Sequence, residues 1–155
     1  MPGYGILPPG EGTGLLPWAW AQERLRASDN YWLATTWPDG RPHVMPVWGV
    51  WLDGAVWWSS GLRSRKARNL ARDPRCTITT QDPDEPVVVE GAAEVVRGPA
   101  ELDAFVAALN AKYQTAYAVE FLDPAVNGTF RLAPTWAFGL DQADFGGSPT
   151  RWTPG

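Results

Sequence analysis

The chain has 155 residues, 45% of them hydrophobic, and a formal net charge of −4. Length and apolar share suit one globular domain with its own core and exclude a disordered chain. No apolar run reaches the ~20 residues that span a bilayer, and a single cysteine, Cys76, excludes an internal disulfide or a thiolate metal cluster.

Residues 1–14 are rich in Gly and Pro and are predicted as a flexible N-terminal arm, with residues 15–155 as one domain. The opening Met1-Pro2-Gly3-Tyr4-Gly5 lacks a secretory leader pattern, so the cytoplasm is the expected location. Leu16 to Ala27 predicts a short helix with Pro17 in its first turn. A strand over Tyr31–Trp37, a turn at Pro38-Asp39-Gly40 and a second strand over Pro42–Trp51 follow. Asp53-Gly54 is a two-residue hairpin signal leading into Ala55–Ser60. Ser64 then caps a basic helix that must stop before Asp73-Pro74. Arg75–Gln81 alternates as a half-buried strand, and Val87–Val96 is another after the acidic turn at 82–86. In Pro99–Ala118, Leu102, Phe105, Val106, Leu109 and Tyr113 recur at helical spacing. Strands over Thr129–Leu132 and Thr135–Leu140 close the domain, and Asp141–Gly155 reads as loop. Six or so strands joined mainly by hairpins, with few helices, predict a mainly β domain built as a small antiparallel barrel.

The most informative segment is Ser59-Ser60-Gly61-Leu62-Arg63-Ser64-Arg65-Lys66-Ala67-Arg68-Asn69-Leu70. Arg65 and Lys66 fall in the first helical positions, at the positive end of the helix dipole, where each cation costs roughly 0.3–1 kcal/mol. Free backbone N–H groups, a Ser hydroxyl and two cations at one helix start form a cradle for phosphate. A solvated helix face would also carry basic residues, but here they crowd the helix start as well as its outer face. From Arg63 to Arg75 six cations meet one carboxylate, Asp73, on an otherwise acidic chain. One basic island suits a discrete anionic ligand, whereas nucleic acid asks for a broad stripe. No nucleic acid and no membrane is expected as a partner.

Acid–base machinery is sparse. There is one histidine, His43, no carboxylate cluster at metal-ligand spacing, and no G-x-S-x-G, G-x-G-x-x-G or P-loop pattern. An enzyme with this inventory relies on a bound cofactor for its chemistry, the protein supplying position and field. Of the ten tryptophans, Trp48, Trp51, Trp57 and Trp58 lie on the strands leading to the basic helix. They are core material in the first instance, with room for one or two to face a planar ring.

Trp32-Leu33-Ala34-Thr35, Pro38-Asp39-Gly40-Arg41-Pro42-His43-Val44 and Pro46-Val47-Trp48 resemble the first hairpin of the pyridoxamine-phosphate-oxidase-like split barrels. Ser64-Arg65-Lys66-Ala67-Arg68-Asn69-Leu70 with Asp73-Pro74-Arg75 resembles that family's phosphate-binding segment, Val89–Val95 its next strand, and Thr150-Arg151-Trp152 its common ending. The resemblance runs from about residue 17 to 152. It implies a six-stranded antiparallel split β-barrel with flanking helices, forming a homodimer with cofactor clefts at the interface. It places Arg65 and Lys66 on the cofactor phosphate with Ser60 and Asn69 nearby, His43, Met45, Pro46 and Val47 under the ring system, and Trp58 and Ser59 along the same cleft. The hairpin looks most like the branch that uses the deazaflavin coenzyme F420, with FMN as the alternative cofactor. The implied activity is hydride transfer to a small planar conjugated substrate; the alternative is an FMN oxidoreductase or a non-catalytic flavin-binding protein. Pyridoxamine phosphate oxidation itself is not implied, because no histidine follows His43 to partner Arg151 near the C-terminus.

Overall fold

The computed structural model describes residues 5–8 and 10–154; residues 1–4 and 9 of the predicted arm lie outside the described residues. In chain order the elements are α1 (Trp18–Ala27), β1 (Tyr31–Thr36), β2 (Pro42–Val47), β3 (Val50–Leu52), β4 (Ala55–Gly61), α2 (Arg65–Arg72), β5 (Arg75–Thr80), β6 (Val87–Ala92), β7 (Glu94–Val96), α3 (Pro99–Tyr113), β8 (Asn127–Leu132), β9 (Trp136–Gly139) and β10 (Thr150–Trp152). Short 3-10 turns lie at Val119–Leu122 and Gln142–Asp144.

The strands form two open antiparallel sheets, one of six strands in the order β10-β9-β6-β5-β1-β2 and one of four in the order β3-β4-β8-β7. Neither sheet closes on itself. The predicted six-stranded split barrel, and with it the mainly β class, is corrected to a mixed α/β fold with two antiparallel sheets and three α-helices. The physical reason lies at the edges. The predicted strand Pro42–Trp51 breaks at Trp48-Gly49 into β2, the edge of the larger sheet, and β3, the edge of the smaller. Each spends its ladder on a single neighbour, β1 or β4, so no ladder seals the seam between sheets. The predicted strand Val87–Val96 likewise divides into β6 and β7, one in each sheet.

Two cores result. Tyr31, Leu33, Trp58, Ile78, Val87, Val89, Phe130 and Leu132 pack between the sheets, closed by Leu25 of α1 and by Ala67 and Leu70 of α2. On the far side of the smaller sheet, α3 lays Phe105, Val106 and Leu109 onto Val50, Ala55, Trp57 and Val96. Strand β4 therefore serves both cores: Val56 and Trp58 point inward, Ala55 and Trp57 point to α3. This alternation is the period-2 geometry of a strand buried on both faces. Asp53 and Gly54 both take positive φ (48° and 74°), as the two-residue hairpin between β3 and β4 requires.

Two larger departures lie toward the C-terminus. Helix α3 stops at Tyr113, before the predicted Ala118, because Gln114 turns left-handed and Asn110 captures the chain beyond, its Oδ1 accepting from Tyr117 N–H at 2.9 Å. The tail read as loop contains β10, which pairs with β9 and is tied down by Trp152 Nε1 donating to the Leu16 carbonyl at 3.1 Å.

The corner that carries the chain from β2 to β3 is fixed by α3. Tyr113 Oη accepts from Gly49 N–H at 2.9 Å and donates to the Asp29 carbonyl at 2.6 Å. Lys112 Nζ donates to the Gly49 carbonyl at 2.8 Å and to Tyr31 Oη at 3.2 Å, and Tyr31 donates in turn to the Leu25 carbonyl. A Cβ on Gly49 would sit 2.7 Å from the Trp57 carbonyl oxygen, so only glycine fits this close passage. Gly49→Ala is expected to lower stability by about 1–3 kcal/mol in denaturant titration; an unchanged midpoint would show that the corner is slack.

Burial pushes the Lys112 ammonium down to about 8 from its ordinary 10.5, and also raises the Tyr31 hydroxyl. Burial also pushes the Cys76 thiol up to about 12, so above pH 9 the unfolded thiol loses a proton that the folded one keeps, which lowers stability. Between pH 8 and 9 the lysine proton, held by the unfolded chain and released by the folded one, dominates, and stability rises with pH across that window. Above it, tyrosines ionise more readily in the unfolded chain than Tyr31 does in the folded one, and the rise ends. Melting temperatures recorded from pH 8 to 9 should climb, and Lys112→Met should remove the climb.

Candidate functional site

Helix α2 begins as its sequence demands. Ser64 is extended and its hydroxyl accepts from Ala67 N–H at 3.3 Å, an N-cap bond that satisfies one of the four free donors. Arg65 and Lys66 occupy the first turn, which holds no acidic residue. Among the described residues neither takes part in an ion pair. Among the described residues, of the six cations between Arg63 and Arg75 only Arg75 meets a carboxylate, Asp73, at 2.7 Å. Hydrogen bonds from Arg75 hold the Asp73 carboxyl at about 2. The one acid of the basic segment is thus committed at the far end of the helix, and the helix start keeps its charge.

Unpartnered polar atoms gather at the same place. Buried side-chain atoms without a hydrogen-bond partner among the described residues are Trp58 Nε1, Ser60 Oγ, Arg65 Nε, Asn69 Oδ1 and Thr129 Oγ1. Four of the five belong to residues that the sequence singles out for a cofactor. Each such atom costs about 1–3 kcal/mol unless something bonds to it. Trp58 and Ser60 alternate onto the face of β4 that packs under α2, while Arg65 and Asn69 come from α2 itself. Three donor groups and an acceptor there match the needs of a phosphate and a polar ring edge.

A relay reaches from α2 to β2. Asn69 Nδ2 donates to Thr35 Oγ1 at 3.0 Å, and Thr35 Oγ1 lies 3.4 Å from His43 Nδ1. Thr35 Oγ1 accepts from Asn69 and has a proton and a second lone pair left, so it pairs with His43 Nδ1 in either tautomer and leaves Nε2 facing outward from the relay. His43, Met45 and Val47 share the inward face of β2, opposite Thr35, Leu33 and Tyr31. His43 and Met45 remain partly open because β2 is an edge strand.

The structure therefore brings His43, Trp58, Ser60, Arg65, Lys66 and Asn69 to the α2 end of the seam between the sheets, while Met45 and Val47 continue along the inward face of β2 toward the Gly49 corner, Val47 opposite Tyr31. It turns two other named side chains away. Pro46 lies on the outer face of the six-stranded sheet opposite Trp32, and Ser59 faces the α3 side opposite Thr129. Of the remaining tryptophans, Trp48 stacks on Tyr113 (centroids 4.4 Å apart), Trp57 on Phe105 (6.1 Å), and Trp51 meets Trp18 edge-on. Only Trp58 of that group points inward with an unpartnered N–H.

Sequence reasoning missed Thr35 and Trp37. Thr35 is buried and links Asn69 to His43, and Trp37 carries the Arg65 guanidinium over its ring at 3.8 Å. Inward alternation along β1 marks Thr35 as a polar residue on an apolar face, a signal present in Tyr31-Trp32-Leu33-Ala34-Thr35. Nothing local marks Trp37. Among the described residues there is no group of three or more metal-ligating side chains, and no helix is long and apolar enough to cross a membrane. Two open hollows, of about 700 and 670 Å³, lie instead on the outer face of the larger sheet, the first beside Thr36, Arg75 and Glu90, the second beside Trp32 and Pro46.

Residues 19–138 match the pyridoxamine 5'-phosphate oxidase family. The chain belongs to that family. Similar solved structures include a conserved hypothetical protein from Mycobacterium tuberculosis, 28% identical over 84% of this chain and 88% of that one, TM-score 0.72. An F420 reductase is 27% identical over 75% of this chain and 94% of that one, TM-score 0.61. A heme-binding protein from Mycobacterium smegmatis is 26% identical over 89% of this chain, which spans 59% of that longer protein, TM-score 0.65. No curated protein matches the chain.

If the helix start is the anion site, Lys66→Ala should weaken binding of inorganic phosphate by about 1.5–3 kcal/mol, the worth of a hydrogen bond to a charged group, with the melting temperature unchanged. Titration followed by NMR measures it, and equal affinity in the variant would move the anion elsewhere.

Proposed function

We propose that the protein binds a phosphorylated planar redox cofactor of the flavin class and works as an oxidoreductase through it. The observation that carries this reading is the pairing of an uncompensated Arg65–Lys66 helix start with buried, unpartnered atoms on Trp58, Ser60, Arg65 and Asn69. Arg65, Lys66 and Ser60 would hold the phosphate. His43, Met45 and Val47 would lie along the ring, with His43 Nε2 and the Asn69 oxygen offered to its polar edge. When bound, such a ring supplies hydride-transfer chemistry; the chain's own part is to orient it and to exclude water with apolar walls.

Two cofactors fit this description. Coenzyme F420 is favoured by the Pro-Asp-Gly-Arg-Pro-His-Val hairpin and by the similarity to an F420 reductase, and implies reduction of a small conjugated substrate. FMN, or service as a carrier of a planar ligand, is favoured by the scarcity of acid–base groups beyond His43 and by the similarity to a heme-binding protein. In either case a second copy would complete the cleft. Its footprint would be the outer face of the six-stranded sheet, where Trp32, Val44 and Pro46 are exposed.

Titrating the purified protein with FMN and with coenzyme F420, following tryptophan quenching, tests the reading. Saturable binding of one of them, lost in Arg65→Ala, is the expected result, and failure of both to bind would overturn it. Tighter binding of F420, with turnover of enones or quinones in stopped flow, selects the reductase; tighter FMN binding without turnover selects the carrier.

A further inference from the structure

Trp37 ends the β1–β2 hairpin at the mouth of the anion site, and three arginines converge on it. The guanidinium carbon of Arg65 lies 3.8 Å from its ring centroid and that of Arg41 4.6 Å. Arg72 Nη2 donates to its carbonyl at 3.0 Å, and its own N–H donates to the Arg41 carbonyl at 2.8 Å. The arginines differ in what answers their charge. Arg41 is paired with Asp39 at 2.8 Å, whereas Arg65 meets no carboxylate among the described residues and keeps a buried Nε without a partner.

The geometry of the stack matters more than its strength. A carboxylate that held Arg65 in place would neutralise it and occupy two of its donors. An indole takes only the flat face of the guanidinium, through the ring quadrupole, and leaves every N–H in the guanidinium plane free. Tryptophan is the best of the aromatic residues for this, and arginine, weakly hydrated and planar, is the better cation. The hairpin turn fixes the ring in its turn: Gly40 N–H donates to the Trp37 carbonyl at 3.0 Å, and the His43 ring meets the indole edge-on at 6.1 Å.

We propose that Trp37 is a positioning residue of the anion site: it holds the Arg65 guanidinium by its face, so that charge and in-plane donors stay available for a phosphate group. The proposal rests on the anion-site reading above and adds to it a side chain that touches no ligand itself.

The test uses the whole chain with inorganic phosphate as probe, read from the arginine Nε–Hε resonances. The Arg65 resonance, assigned by its loss in Arg65→Lys, should lie upfield of free arginine through the indole ring current and should move on adding phosphate. Trp37→Leu should weaken phosphate binding about 5- to 30-fold, Trp37→Phe should recover most of that loss, and adding Trp37→Leu to Arg65→Ala should cost nothing further. An Arg65 resonance at the free-arginine position overturns the proposal even if Trp37→Leu does not fold. So does a Trp37→Leu loss that persists in full on top of Arg65→Ala. If Arg65→Ala and Lys66→Ala both leave phosphate affinity unchanged, the anion-site reading falls and this proposal with it; if they weaken it and Trp37→Leu does not, only the proposal falls.

Discussion

Positive charge at the start of helix α2 has no acidic counterpart within reach among the described residues, and the candidate site is arranged around that imbalance. The helix dipole already opposes cations there, and Ser64, the cap, contributes an acceptor but no charge. Asp73, the acid of the basic segment, is engaged by Arg75, and Asp39, on the hairpin that carries Trp37, by Arg41. What steadies Arg65 is an aromatic face, which leaves its charge in place. A folded chain that keeps two cations in this state gains from an anion more than it would from a surface salt bridge, whose usual worth is about 0–1 kcal/mol.

The fold's contribution is to bring polar atoms from three elements beside that charge. Strand β4 is buried on both faces, and its inward face carries Trp58 and Ser60 to the end where α2 starts. Helix α2 packs by Ala67 and Leu70, which buries Asn69 between them and sets its amide on Thr35, and through Thr35 beside His43. The corner at Gly49 keeps β2 at the edge of its sheet, so the inward side chains His43 and Met45 stay accessible although their neighbours on β1 are sealed. Lys112 and Tyr113 hold that corner from α3, more than sixty residues away in the chain.

Much of this was legible in the residues because it depends on short-range chemistry. The Ser64 cap, the stop at Asp73-Pro74, the left-handed pair Asp53-Gly54 and the helical spacing of Phe105, Val106 and Leu109 each express a local preference, and each element formed where that preference lies. The crowding of Arg65 and Lys66 into the first turn after the Ser64 cap was legible for the same reason. Strand pairing was less legible. One strand was read straight through Trp48-Gly49, yet the chain changes sheets there because α3 captures the Gly49 peptide. The brief strand Thr150–Trp152 has its identity only from the partner it pairs with, β9.

Local composition determined where the basic helix starts and stops, which turns are tight, and where positive charge collects, since those follow from backbone sterics, capping and the count of ionisable groups over a few residues. Tertiary contacts alone decided that the sheets stay open, that Pro46 and Ser59 face away from the residues they were grouped with, and that Trp37 meets Arg65 across twenty-eight positions of sequence. Facing direction in a strand reverses with each residue, and a stack between distant side chains has no local signature, so both wait on how the sheets and helices pack.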